Sequence, residues 1–193
     1  MKKNLFLFLI LAFSVLMSFA QLKSPDEFLG YPIGSKYTPH FKIVNYFQQA
    51  AAAMPQMMQL KQYGETYEGR PLYLAFISSA KNIAALESIR KNNLQLAGLA
   101  SGNATNSAIP IVWLSYNVHG NEASSSEAAM LTLYELLRAD NSEHQNWLSN
   151  TVVVIDPCIN PDGRDRYVNW FNGVVGAIPN VQPIAREHDE QWP

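Results

Sequence analysis

From residue 71 onward, apolar runs of strand length alternate with stretches of helical period, which restricts the folds open to this chain. Residues 71–78 are rich in apolar and aromatic side chains, and 82–98 set Ile83, Leu86, Ile89, Leu94 and Leu96 among polar residues before Gly98. Residues 109–116 form an apolar run, 127–138 an amphipathic helix with Ser124, Ser125 and Ser126 as candidate caps, 143–148 a short helix, and 151–155 a second apolar run. The order strand, helix, strand, helix, strand predicts an α/β domain: a mixed, mainly parallel sheet with right-handed crossovers and helices on both faces. An unbroken apolar run marks a strand covered on both faces, so 109–116 is predicted as a buried central strand.

Upstream, 57–63 and 71–78 flank a turn at 64–69 and predict a β-hairpin. Thr38 followed by Pro39 opens a helix whose apolar face carries Phe41, Val44, Tyr46 and Phe47 and which ends before Pro55. Residues 21–37, with Pro25, Gly30, Pro32 and Gly34, read as an N-terminal loop. Residues 1–20 have the make-up of a signal peptide: Lys2 and Lys3, an apolar run over 5–19, and Ser18 and Ala20 at the cleavage positions. Cleavage after Ala20 predicts an exported protein, periplasmic or extracellular, that begins at Gln21 and keeps no stable membrane anchor, because the run is shorter than the roughly 20 residues that span a bilayer. The single cysteine, Cys158, allows no internal disulfide. With 48% hydrophobic residues and a net charge of −2, the composition excludes a disordered chain and makes nucleic acid an unsuitable partner. Periodicity fades after Gly173, so the domain at 38–193 is expected to be incomplete at its C-terminal side.

The chemistry sits between the apolar run at 109–116 and the helix that follows. In open α/β sheets ligands bind beyond the carboxyl ends of strands, and His119 stands three residues past Tyr116, with Glu122 three further on. An imidazole nitrogen and a carboxylate oxygen are both zinc donors, and Gly120 between them permits a tight turn that aims both at one point. Taken alone, the same two residues also suit capping of the next helix. Catalytic zinc takes three protein ligands, so the pair would be two thirds of a protein shell.

Three landmarks in order widen the reading: Tyr63-Gly-Glu-Thr-Tyr-Glu-Gly-Arg-Pro-Leu72 in the hairpin, Asn117-Val-His-Gly-Asn-Glu122 after the apolar run, and Asn160-Pro-Asp-Gly163 after the second. Over about residues 38–165 the chain resembles the zinc metallocarboxypeptidases, the carboxypeptidase A-like family. The resemblance implies that His119 and Glu122 bind Zn2+, and that a metal-activated water cleaves peptide bonds of peptide or protein substrates. It also implies a third histidine and a glutamate base; no residue here is assigned as catalytic, and both are expected beyond Pro193. Arg166, just past the Asn-Pro-Asp-Gly turn, is the candidate for holding a substrate carboxylate, while the family's later Asn-Arg motif is absent. His188 lies in a charged stretch and reads as a solvated residue. Amide deacylation and a noncatalytic binding domain are the alternatives. Asp156, Asp162 and Cys158 read as structural, and Tyr167, Trp170 and Phe171 as packing residues.

Overall fold

A computed structural model describes residues 21–105, 108–178, 180–182, 184 and 185. The signal-peptide reading of 1–20 and the reading of His188 lie outside the described residues. Four strands form one sheet: β1 (Met58–Glu65), β2 (Pro71–Ile77), β3 (Ile111–Ser115) and β4 (Val152–Asp156), in the order β1-β2-β4-β3. β1 and β2 are the expected antiparallel hairpin, in register from Met58 opposite Ile77 to Glu65 opposite Pro71, with an irregularity between Gln62 and Gly64. β2 also runs antiparallel to β4, and β3 runs parallel to β4 from Ile111 opposite Val152 to Ser115 opposite Asp156. The sheet is mixed as expected, but one described pairing of the three is parallel, because the hairpin supplies β4's neighbour from its antiparallel arm.

β4 occupies the buried place that the sequence suggests for 109–116. β3 is the edge of the described sheet: Ile111 and Val112 are exposed and Trp113 is 61% exposed. An apolar run encodes affinity for cover; among the described strands β3 pairs with β4 alone, and Leu114 is its residue packed against the main core.

Around the sheet lie seven described helices: α1 (Pro25–Leu29), α2 (His40–Ala53), α3 (Ala80–Ala84), α4 (Leu86–Leu96), α5 (Ser124–Leu137), α6 (Ser142–Asn150) and α7 (Pro161–Val174). Alternation along β2 and β4 divides the core. Ala75, Ile77 and Ile155 pack with Ile43, Tyr46 and Phe47 of α2, Met130, Leu133 and Leu137 of α5 and Leu148 of α6. Leu74, Phe76, Val152 and Val154 meet Leu86 and Ile89 of α4 on the other face. Helices therefore cover both faces, and each fully buried Leu or Phe contributes about 1.5–3 kcal/mol.

Several ends differ from expectation. The 21–37 loop contains α1, closed by a capping box in which Ser24 accepts from the Glu27 N–H and the Glu27 carboxylate accepts from Ser24. Pro39, not Thr38, stands at the N-cap position of α2, with no side-chain capping bond; the Thr38 hydroxyl is 3.1 Å from that of Tyr31. The 82–98 helix is divided at Ala85 into α3 and α4. α5 starts at Ser124, so the serines lie inside its first turn and cap nothing. Asn160-Pro-Asp-Gly163 opens α7: Asn160 is the N-cap and accepts from the Gly163 N–H at 3.0 Å, with Pro161 in the first turn.

Candidate metal centre

Parallel pairing puts the carboxyl ends of β3 and β4 side by side, and the two chains that leave them stay joined. The Tyr116 N–H donates to Asp156 O at 3.0 Å, the Ile159 N–H to Tyr116 O at 3.0 Å, the Asn160 N–H to Asn117 O at 3.2 Å, and Asn160 Nδ2 to Val118 O at 3.1 Å. Gly120 then lies against Gly163, so closely that a Cβ on Gly120 would overlap the Gly163 carbonyl. Two of the three sequence landmarks thus meet backbone to backbone.

On this platform the structure brings His119 and Glu122 together. His119 Nδ1 lies 3.2 Å from Glu122 Oε1. The Glu122 Oε2 accepts from the His119 N–H at 3.1 Å, and the Glu122 N–H donates to His119 O at 3.1 Å. These two groups are 61% and 55% exposed, open to an ion and to solvent. The His119 backbone N–H, then its side chain, holds the Glu122 carboxyl below its ordinary range, which keeps an anionic oxygen available. Two donors roughly 2.0–2.2 Å from one ion, at a tetrahedral angle, lie about 3.4 Å apart. The 3.2 Å separation and the donor chemistry both fit zinc. Among the described residues no third histidine, cysteine or carboxylate joins them.

Arg166, the candidate for substrate carboxylate, is half exposed and its guanidinium pairs with Glu68 of the hairpin turn. Glu68 also pairs with Arg70, which reaches Asp162 at 2.6 Å and Asp165 at 2.7 Å, so the first landmark is clamped onto α7. Burial pushes the Asp162 carboxyl up, but Thr66 and Arg70 outweigh it and hold the group below its ordinary range. Asp156 accepts from the Tyr63 hydroxyl at 2.8 Å, and burial raises its carboxyl. Burial pushes the Cys158 thiol up to about 12, so it is a poor nucleophile. Tyr167 and Phe171 pack on Tyr37, with ring centroids 5.9 and 5.0 Å away.

Sequence reasoning missed Asn117 and Arg164. Arg164 is fully buried and bonds Asn117, Ala123, Thr38 and Glu127. Its signal was present: a cation in the first turn of a helix opposes the helix dipole and calls for an anionic partner. Glu127 beside Ala128, Ala129 and Met130 is such an anion on an apolar face.

The fold and this pair define an α/β domain that presents a histidine and a carboxylate side by side at a strand end. The chain belongs to the zinc carboxypeptidase family, whose model matches residues 43–182. Among solved structures it is similar to thrombin activatable fibrinolysis inhibitor, at 20% identity and a TM-score of 0.49, over 68% of this chain and 27% of that one. It is also similar to carboxypeptidase A from Helicoverpa armigera, at 21% identity and a TM-score of 0.49, over 67% of this chain and 26% of that one. The chain spans about a quarter of the length of each.

Proposed function

We propose that this chain supplies two of the zinc ligands, His119 and Glu122, of an exported carboxypeptidase-type hydrolase acting on peptides or proteins. The observation that carries this reading is the convergence of His119 Nδ1 and Glu122 Oε1 at 3.2 Å, beyond the carboxyl end of β3. Family membership supports it. Bound zinc would polarise the scissile carbonyl and activate water. The chain's own residues hold the donors: Gly120 seats the loop on α7, and the hairpin clamps α7 through Arg70. Arg166 is proposed to turn from Glu68 to a substrate carboxylate, for which a guanidinium fork is suited. The basic, then apolar, composition of residues 1–20 supports export.

The test is zinc titration of the exported chain, whose first residue is read beforehand and is expected to be Gln21. Binding should be of low affinity and should fall at least tenfold in His119→Ala and in Glu122→Gln. Binding unchanged by both substitutions would end the zinc assignment.

A further inference from the structure

We propose that Asn117 is a positioning residue for the metal pair, held in place by the buried ion pair of Arg164 and Glu127; this rests on reading His119 and Glu122 as zinc donors. Asn117 is buried and has φ of 56°, the left-handed region that asparagine tolerates better than most residues. Its Nδ2 donates to His119 O at 2.6 Å. That same carbonyl accepts the Glu122 N–H at 3.1 Å, so one side-chain amide fixes the backbone from which both donors project.

The other end of the amide is fixed in turn. Asn117 Oδ1 accepts from Arg164 Nη1 at 2.7 Å and from Ser126 Oγ at 3.0 Å, with Cys158 Sγ 3.7 Å away. Arg164 also donates to Ala123 O, to Thr38 O at 2.8 Å, and to the two Glu127 carboxylate oxygens at 3.0 and 3.1 Å. Glu127 takes the Thr38 N–H at 2.6 Å. Guanidinium and carboxylate neutralise each other, and the span between this pair and the ligand loop is bridged by a group that accepts on one side and donates on the other. Asparagine meets that demand; aspartate accepts only, and glycine offers the backbone angle with neither bond. Partners of this kind, outside the ligands themselves, commonly set about 10–100-fold of metal affinity.

Two variants of the full chain separate positioning from folding. Asn117→Asp keeps the acceptor toward Arg164 and Ser126 and loses the donor toward His119; Asn117→Gly keeps the left-handed backbone and loses both. Zinc affinity is measured for each, and amide hydrogen exchange is followed without metal. For Asn117→Asp, which adds a buried charge and lowers the thermal midpoint, we expect zinc affinity lower by about 10–100-fold, and Glu122 and Ser125 amides losing at least tenfold more protection than β4 amides. Zinc affinity and Glu122 exchange both within twofold of the parent would overturn the proposal, as would an equal loss of protection in β4 and the loop. Should the Asp variant fail to fold, Asn117→Gly carries the same comparison. If the parent binds no zinc, the metal assignment fails, and the exchange rates alone decide whether Asn117 positions this loop.

Discussion

Gly120 shows how a residue's identity is set by something distant in sequence. It is not among the glycines at positive φ; what excludes a side chain is the backbone of Gly163 at the start of α7. Gly120→Ala must part the 117–122 loop from α7, and overpacking of this kind costs about 1–3 kcal/mol. Gly173, in α7 with open space where a Cβ would go, is the control: Gly173→Ala should be neutral or stabilise by about 0.5–1 kcal/mol. Urea unfolding of the two variants checks both signs. At this scale the sequence singles out His119, Glu122 and the glycine between them, and the structure brings the two side chains together, because strand end and turn are local properties. It does not give the reason for the glycine, or the roles of Asn117 and Arg164, because those depend on which segments lie side by side once β3 and β4 pair.

The first turn of α2 meets α7, and His40 is the buried titratable residue there. Its N–H donates to Asp165 Oδ1 at 3.2 Å. Burial brings the imidazole down from 6.5 to about 4; Asp165 opposes the change, while Arg164 and Arg70 add to it. The unfolded chain therefore binds the proton first, so stability from a neutral His40 is present above pH 6.5 and is lost as pH falls toward 4. Between pH 7 and pH 5 the loss is about 2 kcal/mol. The depressed carboxyls of Glu68 and Glu122 give up their stabilisation at lower pH, below their ordinary 4.5. Denaturant unfolding at pH 7 and pH 5 should show a drop that shrinks by about 2 kcal/mol in His40→Gln; an equal drop in both proteins would refute this. Elements with a self-contained signal were legible: the hairpin, α2, α5 and α6 follow from period and flanking turns. α1 was passed over although Ser24 and Glu27 spell its capping box. The break at Ala85 has no proline or glycine to announce it.

At the scale of the whole molecule, β3 is the least satisfied element. Ile111, Val112 and Trp113 stand exposed, and among the described strands its second edge is unpaired. Open apolar edges promote pairing with other chains, so the protein should self-associate as its concentration rises, and Trp113→Lys should suppress this. Sedimentation velocity over a range of concentrations checks it; identical profiles for the two proteins would count against the edge as the cause. Strand order cannot be read from a run of apolar residues, which is why the sequence assigns the buried centre to 109–116 and the structure to β4. The clamp on the 117–122 loop also has a consequence in time. Asn117 and Arg164 are 47 residues apart in sequence. At about 5–20 residues per second, the 117–122 loop is synthesised roughly 2–9 s before the arginine that braces it. Until the start of α7 docks, the loop lacks the bond from Arg164 to Asn117 that braces it.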